Sequence, residues 1–233
     1  MNAEAAQGYV LEPPPQAVLP VAADRRAFPV HRIYCVGRNY AAHAVEMGHD
    51  PDREPPFFFQ KNADNLVLDG RFPYPSASTS VHHEVELVVA LAKGGADIPI
   101  ETALDCVFGY AVGIDMTRRD LQARAKELRQ PWELAKAFES AAPCGPLLPA
   151  STIGHPTAGA ISLDVNGERR QTGDLNQMIW KVPEVISYLS GLFTLRAGDL
   201  IFTGTPSGVG AVVRGDLMHG HIDGIGDIEV RVV

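Results

Sequence analysis

Glu84 and Glu86 stand two residues apart at the head of an apolar run, Glu84-Val85-Glu86-Leu87-Val88-Val89-Ala90-Leu91. A short run rich in valine reads as a buried strand. Side chains alternate along a strand, so both carboxylates point the same way. Two like charges on one buried face repel and resist desolvation unless a cation sits between them. A second apolar run, 107–115, ends in Asp115 and offers a third carboxylate. Three carboxylates suit a hard divalent ion: Mg²⁺, Mn²⁺ or, less well, Ca²⁺. His82 shares the parity of Glu84 and Glu86, and a histidine with two carboxylates would suit Fe²⁺ or Mn²⁺. Both ligand sets are open at this level.

The rest of the chain supplies more strands than helices. Residues 32–37, 57–59, 84–92, 107–115, 199–203, 211–214 and 228–233 read as strands. Residues 163–165 and 168–171 flank Asn166-Gly167, a type I′ hairpin signature. A short helix is expected over 39–47. A longer one is expected over 117–129, with Thr117 as N-cap, Asp120 in its first turn and Pro131 beyond its end. A third is expected over 182–193, with Pro183 in its first turn. Residues 1–28, which contain Pro13-Pro14-Pro15, read as an irregular N-terminal arm, and 29–233 as one catalytic domain. The expected class is α+β and strand-rich, without the βαβ alternation of a doubly wound sheet.

Composition narrows the partners. Lys and Arg number 20 against 28 Asp and Glu, a formal charge of −8, and no basic run exists. That excludes a nucleic-acid partner by the usual electrostatics. No apolar run approaches the ~20 residues of a membrane span. The N-terminus lacks the basic start and apolar stretch of a secretory signal. Cys35, Cys106 and Cys144 are widely spaced, which fits reduced thiols in a cytoplasmic protein.

Three further groups carry chemistry. His43 and Glu46, at i, i+3 on the expected helix, would share one face, and the carboxylate could orient the imidazole as a base toward water. Arg119 and Gln122 share a face of the helix after Asp115, and Lys136 follows on Trp132-Glu133-Leu134-Ala135-Lys136. Together they could hold the carboxylate and keto oxygens of an anionic substrate. Thr203-Gly204-Thr205-Pro206-Ser207-Gly208-Val209-Gly210 lacks the lysine of a phosphate loop. It reads as a tight turn whose Thr hydroxyl and backbone N–H groups could meet a carboxylate.

Five motifs in this order resemble the fumarylacetoacetate hydrolase family: Gly37-Arg38-Asn39-Tyr40-Ala41-Ala42-His43 with Glu46; His82-His83-Glu84-Val85-Glu86-Leu87; Asp115-Met116-Thr117-Arg118-Arg119-Asp120-Leu121-Gln122; Pro131-Trp132-Glu133-Leu134-Ala135-Lys136; and residues 203–210. The resemblance spans 28–233 and is strongest to the short bacterial branch of fumarylpyruvate hydrolases and acylpyruvases. The chain departs from that branch at Lys61-Asn62, where Lys-Pro is frequent. The resemblance implies a mixed β-sandwich roll and a homodimer. It implies a Mg²⁺ or Mn²⁺ site on Glu84, Glu86 and Asp115, a water-activating His43–Glu46 pair on a lid, and substrate contacts from Arg119, Gln122, Lys136 and Thr205, with Lys136 also catalytic. His82 then falls outside the ligand set. The implied reaction is hydrolysis of a carbon–carbon bond in a 3-acylpyruvate, a small anionic 2-oxo acid, with fumarylpyruvate giving fumarate and pyruvate. Oxaloacetate decarboxylation, and isomerisation or hydration of related oxo-dienoic acids, are the enzymatic alternatives. A non-enzymatic metal-binding protein is disfavoured by the His43–Glu46 pair.

Overall fold

Alternate residues of the strand Val85–Leu91 feed two different cores. Val85, Leu87, Val89 and Leu91 enter one; Val88 and Ala90 enter the other. That strand lies inside a six-stranded sheet in the computed structural model, which describes residues 8–41 and 54–233. The order across the sheet is Leu148–Pro149, Val107–Ile114, Val85–Leu91, Leu200–Phe202, Ile33–Gly37 and Phe57–Lys61. All neighbours are antiparallel except Leu200–Phe202 with Ile33–Gly37. A continuous apolar run is what a strand covered on both faces requires.

One face packs on a five-stranded sheet ordered Glu168–Asp174, Ala160–Val165, Leu217–Ile222, Gly226–Val232, Arg71–Phe72. Ile161, Leu163, Met218, Ile222 and Val230 fill the space between the sheets. Each such side chain stabilises the fold by about 1.5–3 kcal/mol relative to exposure. The other face is closed by Leu19, Val21, Phe28 and Leu147. The fold is therefore strand-rich α+β with two packed sheets, as expected.

Several local expectations hold and others change. Asn166 and Gly167 take φ of 53° and 81° at the tip of the hairpin, the two positive values a type I′ turn needs. The helix Val182–Leu192 carries Pro183 in its first turn. The N-terminal arm is not irregular throughout: Val18–Pro20 pairs antiparallel with Ala27–Pro29, and Leu19 and Phe28 are buried. The prolines occupy strand ends, where a missing N–H costs no ladder bond. The strand Leu217–Ile222 was not expected, because Gly220 interrupts its pattern. Gly220 is needed there: a Cβ would meet Ile228 at 3.0 Å and Val85 at 3.3 Å.

The helix after Asp115 runs Arg119–Leu128, with Arg118 at its N-cap and no side-chain cap. Thr117 is not the cap. Thr117–Arg118 instead pairs with Val81–His83 as a short strand. The Thr117 hydroxyl donates to the Asp115 carbonyl at 3.2 Å and accepts from Lys136 Nζ at 2.6 Å. A buried ammonium needs acceptors, and that demand outweighs the cap. Asn39, Tyr40 and Ala41 begin the segment expected as a helix; His43 and Glu46 lie outside the described residues.

Candidate active site

The two carboxylate-bearing strands end side by side. Val85 pairs with Ile114 and Glu86 with Gly113. One step further, the Asp115 N–H donates to the Glu84 carbonyl at 2.8 Å. Glu84, Glu86, Val88 and Ala90 share one parity; Ala111, Gly113 and Asp115 share the other strand's matching parity. The carboxylates are thus the polar end of a stripe whose remainder is core. Gly113 opposite Glu86 keeps the stripe open, since a Cβ there would meet Val88 at 2.5 Å and Phe202 at 2.7 Å. One ligand oxygen from each of Glu84, Glu86 and Asp115 lies within 4.8 Å of the other two, and all three residues are buried. His82 is not in that group among the described residues. Its Nε2 lies 3.2 Å from Ser80 Oγ, and burial followed by the charge of Arg119 pulls it down to about 4, so it is neutral at pH 7.

Three cations surround the three carboxylates. Lys136, on the short helix Glu133–Lys136, donates to Glu84 Oε2 at 2.8 Å and Asp115 Oδ2 at 2.7 Å. Arg119 reaches Glu84 Oε1 at 2.5 Å and Gln122 Oε1 at 2.6 Å. Lys61 lies 2.8 Å from the other Asp115 oxygen and donates to the carbonyls of Met116, at 3.3 Å, and Lys136. Glu86 pairs with no cation among these and accepts instead from the Gly204 N–H at 2.7 Å. Burial, then the neighbouring charges of Asp115 and Glu84, push its carboxyl well above the usual range. Burial acts to lower the Lys136 ammonium, but Asp115 and Glu84 together hold it above its usual value.

This is a group a hard divalent cation fits. The donors are all oxygen, they converge, and one of them, the buried Glu86, is disfavoured as an anion until more positive charge arrives. Three cations already face the three carboxylates, so a divalent ion would add two further positive charges and make the pocket receptive to anions.

Every sequence-derived site residue within the described residues comes to one cleft. Glu84, Glu86, Asp115, Arg119, Gln122, Lys136 and Thr205 line it together with Arg38, Lys126 and Trp132. One expectation changes in kind. The Thr205 hydroxyl donates to the Val85 carbonyl at 2.7 Å and accepts from Gln171 Nε2 at 2.8 Å. Its hydrogen is committed inward, so the hydroxyl is not a free donor toward the cleft. Gln171 itself was missed. It lies fully buried, and its Oε1 is 2.8 Å from His83 Nδ1 and accepts from the Val85 N–H at 3.1 Å. No local pattern marks a lone glutamine in a polar strand. Lys61 was noticed, but its partner was not; its parity with Phe57 and Phe59 was the available signal.

The sequence model of the fumarylacetoacetate hydrolase C-terminal domain matches residues 32–233. The chain belongs to the fumarylacetoacetate hydrolase family. Among solved structures of family members, the fumarylpyruvate hydrolase of Pseudomonas aeruginosa in complex with Mn²⁺ and pyruvate superposes with a TM-score of 0.95. It is 56% identical, and the match covers 97% of this chain and 99% of that one. A mitochondrial oxaloacetate tautomerase of Arabidopsis thaliana is 42% identical over 201 residues, 86% of this chain and 90% of the relative. A mitochondrial oxaloacetate decarboxylase of Dictyostelium discoideum is 42% identical over 196 residues, 83% and 89% of the two chains.

Proposed function

We propose that this chain hydrolyses fumarylpyruvate to fumarate and pyruvate, with Mn²⁺ or Mg²⁺ held by Glu84, Glu86 and Asp115. The observation that carries this reading is the 56% identity, across nearly the whole of both chains, to the Pseudomonas enzyme whose structure holds Mn²⁺ and pyruvate. The bound ion would supply Lewis acidity at the 2-oxo acid end of the substrate. The remaining roles belong to side chains. Arg119 occupies Gln122 Oε1, which leaves the Gln122 NH₂ group as the donor toward a substrate oxygen. Lys136, whose buried ammonium is held by Glu84, Asp115 and Thr117, would lend its positive charge to the attacked carbonyl oxygen. His43, oriented by Glu46, takes a proton from water. The water oxygen adds to the distal carbonyl, and the carbon–carbon bond then breaks. Its electron pair stays on the pyruvate fragment, which takes up a proton, and the acyl fragment leaves as fumarate.

The oxaloacetate relatives support a second reading, in which the same pocket acts on oxaloacetate. Decarboxylation needs no attacking water, so His43→Ala separates the two. Hydrolysis should collapse in that variant and decarboxylation should largely survive. The primary test is a single-turnover assay of the purified protein with Mn²⁺ at pH 7–8; no cleavage of any acylpyruvate would sink the hydrolase reading.

A further inference from the structure

Among the described residues the cleft is lined by more basic side chains than carboxylates. Arg119 and Lys136, at its buried end, are paired with Glu84 and Asp115. Arg38 and Lys126 line its more exposed end, and neither has a carboxylate partner among the described residues. They flank one aromatic pair. The Arg38 guanidinium lies 5.9 Å from the Phe57 ring centre and the Lys126 ammonium 5.3 Å from that of Trp132. The two rings are 4.8 Å apart. Cation–π contacts hold both groups in place without neutralising them.

Arg38 is there by construction. It takes φ of 60°, a left-handed conformation costly for any residue but glycine. Asn39 imposes it. Its side chain donates to the carbonyls of Trp180 at 2.9 Å and Thr203 at 2.8 Å, and accepts from the Trp180 N–H at 2.7 Å. Backbone strain that neighbouring contacts maintain points to a site. The Lys126 ammonium is lowered by burial first, then by the charges of Arg119 and Arg38. Two cations in one cleft with no carboxylate partner among the described residues are what an anion would relieve.

We propose that Arg38 and Lys126 form a second anion subsite, which binds a carboxylate at the far end of the substrate's acyl chain. The inference rests on the proposed function for the orientation of the substrate, with its 2-oxo acid end at Glu84, Glu86 and Asp115. Trp132, which lines the cleft, then floors the intervening chain, and the substrate class narrows to 2-oxo acids that end in a second carboxylate.

Two uncleavable probes of equal length test it: 2-oxoheptanedioate, with a terminal carboxylate, and 2-oxoheptanoate, without one. Their dissociation constants are measured by calorimetry on the Mn²⁺-loaded protein. The diacid should bind roughly tenfold to a hundredfold more tightly, the span of one charge-assisted hydrogen bond. Lys126→Gln and Arg38→Gln should each shrink that preference and the double variant should abolish it, while 2-oxoheptanoate affinity changes little. Equal affinity of the wild type for both probes, or equal loss of both in the variants, overturns the subsite. Fumarylpyruvate turnover on the same preparation separates the two claims. A diacid preference without turnover refutes the hydrolase reading and upholds the subsite. Turnover without a preference does the reverse.

Discussion

Replacing Lys61 by Met removes one positive charge from the buried cluster while keeping the length of the side chain. Lys61 is 3% exposed and lies 2.8 Å from Asp115 Oδ1. It also donates to two backbone carbonyls. Removing one member of a buried ion pair costs about 3–5 kcal/mol, because the partner charge stays behind. Lys136 still holds the other Asp115 oxygen at 2.7 Å, which places the loss toward the lower end of that range. For a chain of this length the range corresponds to a fall in melting temperature of roughly 6–20 °C. The assay is thermal and urea unfolding in EDTA and again with saturating Mn²⁺. The ion supplies Asp115 with a replacement positive charge, so the loss should shrink when metal is bound. By linkage, the variant must then bind Mn²⁺ more tightly than the wild type, and a direct titration must agree with the difference in stability. A loss below about 1 kcal/mol in EDTA would refute the account of Lys61 as a charge partner. So would equal losses with and without Mn²⁺.

Two other perturbations follow from the same contacts. Gln171→Leu strands the Val85 N–H, the Pro206 carbonyl and His83, all buried around the amide, and leaves the Thr205 hydroxyl only its bond to Val85; denaturation should show a loss of about 3–5 kcal/mol, at one to a few kcal/mol per stranded group with partial relaxation, and a change within 1 kcal/mol would contradict it. His221 is raised by hydrogen bonds to Asp227 and Asp223. A raised folded-state value means its stabilising contribution is complete below the ordinary histidine range near 6.5 and fades as pH climbs through the raised value. The stability gap between wild type and His221→Gln should therefore be wider at pH 5.5 than at pH 8.5, and a gap independent of pH would count against the pairing.

The acidic triad was legible in the sequence because strand alternation has a period of two and tolerates no drift. Glu84 and Glu86 had to share a face, and the apolar run ending in Asp115 had to present it at a strand end. What that reasoning lacked was the set of counter-charges. Lys136 was visible as a substrate contact and catalytic group but not as a counter-charge, yet it bridges Glu84 and Asp115. Lys61 and Gln171 come from strands distant in sequence, and only tertiary packing brings them to Asp115 and Thr205. Thr117 shows the complementary failure. Its cap pattern was real, but a buried ammonium nearby made better use of the hydroxyl. The hairpin Val18–Pro20 with Ala27–Pro29 was hidden by proline content, which obscured the burial of Leu19 and Phe28.

The order of strands in the six-stranded sheet bears on how the chain assembles as it is synthesised. Leu200–Phe202 is inserted between Ile33–Gly37 and Val85–Leu91. Those earlier strands emerge from the ribosome more than a hundred residues before the strand that joins them. Until then each carries an unpaired edge, the condition that invites association with other chains. The Gly204 N–H that meets Glu86 arrives with the same late segment. A nascent chain that stops short of residue 200 thus lacks both the seam of its central sheet and the backbone donor that meets Glu86.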